Sequence, residues 1–156
     1  MMLTESSFSF APHPQIIYWD YDCSQAPEVH DFTDDLRVFR KAAACMRADG
    51  GGDYPEAVSP AFDAVTKMEW RSEARKMCVW VTDAPPHGLG LDSPDTYPDG
   101  DPSGIDALEP VHTMAEMGIK LFTMFSGSFG HQSAFFCLRS CSALLSTWGV
   151  CFCVFQ

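Results

Sequence analysis

From Met77 to Gly118 the chain has no lysine and no arginine, while eight aspartates and glutamates fall in the same window. The whole 156-residue chain sets 10 basic against 21 acidic side chains, a formal net charge of −11. Such a surface repels phosphate backbones, which argues against nucleic-acid binding. A bare acidic stretch suits a divalent cation or a basic partner, and equally a solvated loop. The seven cysteines form no CxxC pair. Cys23, Cys45 and Cys78 are scattered, and Cys137, Cys141, Cys151 and Cys153 crowd the end. No spacing fits a zinc site or a disulfide framework, so reduced thiols are expected. Met1 to Pro14 has neither a basic n-region nor an apolar h-region, so no export signal is evident and a cytoplasmic setting is expected. HExxH, P-loop and GxSxG patterns are all missing, as is any nucleophile–base pair at a suggestive spacing.

What is present reads as one domain with a real core: 46% hydrophobic and 20% charged residues. Residues 1–14 are an irregular lead-in. Gln15-Ile-Ile-Tyr-Trp-Asp-Tyr21 is aromatic and β-branched, a strand ending near Asp20, and a short extended piece is expected at Val29–Phe32. Thr33-Asp-Asp-Leu36 opens a helix with Thr33 as its cap; Leu36, Phe39, Ala43 and Met46 share one face, and Gly50-Gly51-Gly52 stops it. Asp53-Tyr-Pro-Glu56 reads as a second helix start, with Asp53 as cap, Pro55 in the first turn and Glu56 reaching back. Pro60 conflicts with that start, so the helix either kinks or restarts with Ser59 as cap.

Within Lys76-Met-Cys-Val-Trp-Val-Thr-Asp83, residues 77–81 are an uncharged run rich in β-formers that delivers an aspartate to the carboxyl edge of a sheet. Ala84-Pro85-Pro86-His87-Gly88 cannot continue it, and His87 reads as a turn residue. Asp99-Gly-Asp-Pro-Ser-Gly104 imitates the start of a calcium loop, but Pro110 stands where the bidentate glutamate belongs, so turns are expected. A short helix over Leu108–Met117, a stop at Gly118 and a strand over Ile119–Phe125 complete the body. Strands alternating with helices imply a mostly parallel sheet with helical layers. Residues 128–156 carry Arg139 as their one charged side chain among Phe, Cys, Ser and Leu. Three readings of this tail stay open: an aberrant extension, a core helix plus strand, or a membrane anchor.

Several motifs, in this order, resemble the von Willebrand factor type A domain, in the branch found beside alpha-type protein kinases. They are Gly50-Gly-Gly-Asp-Tyr-Pro-Glu-Ala-Val58, Trp70-Arg71 and Val81-Thr-Asp-Ala-Pro-Pro-His-Gly88. Tyr18-Trp-Asp20, His30-Asp-Phe-Thr33, Asp95–Gly104 and Met114–Phe122 also fit. The resemblance covers about residues 15–126, with an unrelated tail over 127–156. It implies a Rossmann-like, doubly wound, mostly parallel sheet flanked by helices, with Mg²⁺, or Ca²⁺ or Mn²⁺, at the carboxyl edge. It also implies Asp53 and Asp83 as metal ligands. The family's first strand and its Asp-x-Ser-x-Ser loop have no counterpart here; Ser7-Phe-Ser9 lacks the Asp and a preceding apolar strand. An incomplete sheet is therefore expected, with no neighbour between the strands at 15–21 and 77–82, and with weak or absent metal affinity. The chain reads as an interior piece of the domain, such as a truncated gene or splice form would give.

The function that follows is a non-enzymatic, protein-binding module of the adhesion or scaffold type. It has a degenerate metal site and a partner that offers a carboxylate or a basic surface; neither nucleic acid nor membrane is expected. Some members of the family are extracellular. The alternatives are a non-functional fragment of a larger protein and a metal-assisted hydrolase using His87.

Overall fold

The computed structural model describes residues 14–23, 26–46, 52–89 and 94–125, and beyond these only the backbone of four short strands. The fold is mixed α/β. In chain order the elements are β1 (Gln15–Ile17), β2 (Glu28–His30), α1 (Leu36–Cys45), α2 (Val58–Lys67), β3 (Arg75–Thr82), α3 (Leu108–Glu116) and β4 (Ile119–Phe125). Then come β5 (Ser128–Phe129), β6 (Gln132–Ser133), β7 (Cys137–Arg139) and β8 (Trp148–Val154). The lead-in before Pro14 and the Gly50-Gly51 pair lie outside the described residues.

Six strands form one sheet in the order β2-β1-β8-β3-β4-β7. The register of β3 on β4 is parallel and unbroken from Lys76↔Ile119 to Thr82↔Phe125. β8 is parallel both to β1 and to β3. β2 and β7 run antiparallel at the two edges. This corrects the expected vacancy. The position between β1 and β3 is filled from the tail, whose apolar, β-rich run can satisfy the backbone groups of both neighbours. Sequence order alone gives no sign of it, because β8 enters the sheet far from its neighbours in the chain.

Two helix starts also differ from expectation. α1 is capped by Asp35, not Thr33: the Asp35 carboxylate accepts from the Arg37 N–H at 2.9 Å, while Thr33 Oγ1 accepts from the Asp35 N–H at 3.1 Å. The residue closest to the free N–H groups wins the cap. α2 begins at Val58, so neither Asp53 nor Ser59 is its cap. Pro60 then falls in the first turn, where no helical hydrogen bond is lost, and the conflict it raised disappears.

The core lies where α2 and α3 cover one face of the sheet. Val58, Ala61, Phe62 and Val65 of α2 pack with Met114 of α3, Ile16 and Tyr18 at β1, Cys78 of β3 and Ile119 of β4. The Phe62 and Trp80 rings meet edge to face at 5.0 Å. Ile17 alternates to the other face and lines a cleft with Val38 and Ala42 of α1 and with Met46 just after it, so helices approach β1 from both sides. The turn after α3 needs Gly118, at φ +73°. Among the described residues no helix is long and apolar enough to cross a membrane.

Candidate metal centre

The carboxyl ends of β1 and β3 lie at the same rim, with β8 between the two strands, and side chains from both meet in a polar network. Trp80 Nε1–H donates to the Tyr18 hydroxyl at 3.0 Å, and that hydroxyl lies 3.3 Å from Thr82 Oγ1. Thr82 in turn donates to the Ala84 carbonyl at 2.7 Å, which bends the chain out of β3 and into the Pro85-Pro86 turn. Glu56 is fastened to this turn: its N–H donates to the Pro85 carbonyl at 2.9 Å, and it forms a one-residue parallel bridge with Pro86. The segment that precedes α2 is thereby drawn to the rim where β1 and β3 end.

His87 sits at the middle of that rim, and the sequence undervalues it. It does lie in a turn, but it is only 2% exposed. Nε2 is 2.7 Å from Asp20 Oδ1, and Nδ1 is 2.8 Å from Asp95 Oδ1. Burial pulls its pKa down, but the hydrogen bonds and charges of Asp20 and Asp95 outweigh it and hold His87 above its ordinary value. Burial would raise Asp95; the His87 bond and the Gly88 and Tyr97 N–H donors overcome it and keep that carboxylate below its usual range. With a carboxylate within hydrogen-bonding distance of each ring nitrogen, the charged form of the ring is favoured. Tyr97 packs edge-on against it at 5.0 Å, and Tyr21 lies at 5.8 Å. Burial, and then its bond to Asp101, pushes the Tyr21 phenol well above the usual tyrosine range.

The turn is possible because of two glycines. Gly88 has φ +77°, and a Cβ there would stand 2.6 Å from the Gly100 Cα. Its N–H donates to Asp95 Oδ2 at 2.9 Å. The close backbone approach and the positive φ both require glycine at position 88.

Asp20, Asp53 and His87 each offer one ligand atom, and these atoms all lie within 4.8 Å of one another. The group could hold a metal ion; its oxygen donors suit hard divalent cations and its imidazole suits softer ones. Of the two sequence candidates, Asp53 belongs to this group and Asp83 does not. Asp53 does not cap a helix: one of its carboxylate oxygens accepts from the Thr96 N–H, while Oδ1 is buried without a donor. Asp83 is exposed at the end of β3, on the same rim, where its charge reaches Glu56 and Tyr54. The sequence marks Asp20 as a strand end and His87 as a turn residue. Nothing in their spacing announces that a carboxylate at the end of β1 and a histidine after β3 would be paired.

Glu56 is the further member that local reasoning misplaces. Expected to reach back onto a helix start, it is instead 6% exposed at the rim, and its Oε2 has no donor. Burial first, then the neighbouring charges of Asp20 and Asp83, push its pKa up to about 8 against a smaller opposing pull from His87.

The chain is similar to the protein "Alpha-protein kinase vwkA" of Dictyostelium discoideum, with 31% identity over 118 residues, which is 74% of this chain and 18% of that protein. The chain thus spans less than a fifth of that relative's length. No protein-family model matches the chain, and no solved structure matches it significantly.

Proposed function

We propose that this chain is a protein-binding module of the von Willebrand factor type A kind, and that it docks its partner at the acidic rim through a divalent cation, Mg²⁺ or a similar hard ion. The observation that carries this reading is the convergence of Asp20, Asp53 and His87 at the carboxyl ends of β1 and β3. In open α/β sheets that edge is where ligands bind. The likeness to a protein whose printed name pairs "vwkA" with an alpha-protein kinase supports it, as do the parallel strands with helices approaching β1 from both sides. β8 lies in the middle of the sheet, the position that the family resemblance gives to a first strand, and it has no Asp-x-Ser-x-Ser loop. A cation here keeps open coordination positions that a partner's carboxylate completes.

The module itself is non-catalytic in this reading. His87, the residue on which the hydrolase alternative rests, has both nitrogens engaged by carboxylates and none free for substrate. The experiment is Mn²⁺ titration monitored by water-proton relaxation. Bound Mn²⁺ that retains exchangeable water, and loses it on addition of acetate or a glutamate-containing peptide, supports the docking reading. Absence of binding at millimolar Mn²⁺ overturns it. A second reading, a chain without binding activity of its own, is favoured by the missing Asp-x-Ser-x-Ser loop. A cooperative thermal unfolding transition would exclude it.

A further inference from the structure

α1 is a basic helix in an acidic chain. Leu36–Cys45 holds Arg37, Arg40 and Lys41 and no aspartate or glutamate, against 10 basic and 21 acidic side chains overall. Arg37 is paired with the Asp35 cap at 2.9 Å. Lys41 is exposed and has no carboxylate partner among the described residues. The helix is also incompletely seated. None of its residues is buried, and Val38 is 51% exposed although it lines the cleft over Ile17. A surface helix normally closes its apolar stripe onto the layer beneath it, at close to crystal density. Here a cleft of about 350 Å³ stays open between α1 and the β1–β2 hairpin. That volume lies within the roughly 300–1,000 Å³ of small-molecule sites. It is too small for a partner's helix, which is about 10 Å across.

The cleft is a slot with apolar walls and one open charge. The β1–β2 register sets Ile17 beside Glu28, on the face away from the α2 and α3 core. Ile17 and Trp19 form the sheet wall, and Val38 and Ala42 the helix wall. Glu28 and His30 also line the cleft, but they engage each other at 2.8 Å. Lys41 is the lining charge left without a counterpart.

We propose that this cleft binds a small amphipathic anion, a flat apolar body that lies between Trp19 and Ala42 and carries one carboxylate to the Lys41 ammonium. Two facing walls favour a flat body, the Trp19 ring adds stacking contacts, and the ammonium gives a carboxylate a charge-assisted hydrogen bond. The cleft shares no residue with the Asp20–Asp53–His87 group, so the assignment stands whether or not the rim takes a cation.

The test is calorimetric titration of 2-naphthoate into the full chain, with 2-naphthamide as its uncharged counterpart. The assignment expects Lys41→Met, which keeps the apolar stem, to weaken 2-naphthoate about three- to fivefold, the range of an exposed ion pair. Arg40→Met makes the same charge change on α1 outside the cleft and should leave affinity within about twofold. 2-Naphthamide should bind the parent and Lys41→Met alike. Cys45 lines the cleft and is an exposed free thiol, so bound 2-naphthoate should slow its alkylation by iodoacetamide, read by peptide mass spectrometry. No binding at millimolar 2-naphthoate, equal affinity in parent and Lys41→Met, or unchanged Cys45 alkylation overturns the proposal. So does sedimentation that shows a dimer in which Cys45 is protected without ligand, because the cleft then belongs to a second copy of the chain.

Discussion

Replacing His87 with alanine should be the most damaging single change at the rim. The side chain of His87 is fully buried and that of Asp20 is 5% exposed, so the two form a buried pair in a nearly dry setting. Removing one partner of such a pair leaves an uncompensated charge and costs on the order of 3–5 kcal/mol. Asp95 contributes less to that loss, because it keeps the Gly88 and Tyr97 N–H groups as donors. For a chain of this size, 3–5 kcal/mol corresponds to a fall in melting temperature of roughly 6–20 °C. Urea unfolding in metal-free buffer followed by tryptophan fluorescence measures it, with Trp80 one hydrogen bond away from the rim. The pairing argument makes a second claim. In the His87→Ala background, Asp20→Asn should restore part of the loss, because the orphaned charge is what destabilises. A His87→Ala cost below about 1 kcal/mol, or strict additivity in the double variant, would refute it.

Further expectations follow from the same geometry. Glu56 and His87 both bind protons more tightly in the folded chain, so the stability they confer is complete below their unfolded values of 4.5 and 6.5 and is lost as pH rises through the folded values. Stability of the metal-free protein should therefore decline from roughly pH 5 to 9, and Glu56→Gln should flatten the lower part of that profile, where His87 does not yet contribute; a level profile in the parent protein contradicts the burial argument. Gly88→Ala should cost on the order of 1–3 kcal/mol through its positive φ alone, with more from the clash against Gly100, as read by thermal melting. Phe62→Ala, which removes a ring packed against Trp80 at 3% exposure, should cost about 3–5 kcal/mol, and a loss under 1 kcal/mol would show that α2 is not docked on the sheet as described.

The sequence was most legible where local chemistry and tertiary structure agree. The uncharged run before Asp83 is β3, the strand after Gly118 is β4, and Pro110 near the start of α3 is tolerated in its first turn. The local motif at Asp53 reads as a helix cap, whereas the chain stays irregular until Val58 and carries the carboxylate to the rim beside Asp20 and His87. Asp83 marks the strand end correctly yet stands apart from the Asp20–Asp53–His87 group, because a side chain leaving a strand into a turn can point along the rim as readily as across it. His87 and Glu56 were hidden for a different reason. Their significance is burial next to charges from β1, and burial of a polar residue in a loop has no periodicity to betray it. The filling of the sheet centre by β8 was equally hidden, since parallel pairing links residues that have no sequence relation to one another.

That β8 lies between β1 and β3 has a consequence for how the molecule is made. Synthesis on the ribosome delivers β1 first and β8 after every other strand of the sheet. Until β8 emerges, the nascent chain carries two β-edges facing each other across an unfilled gap. Closing that gap requires joining segments from nearly opposite ends of the polypeptide, the slow kind of contact in folding kinetics. During the interval the exposed edges can recruit strands from other molecules, so expression conditions that slow aggregation, or a chaperone that shields β-edges, should govern how much of the chain reaches its folded state.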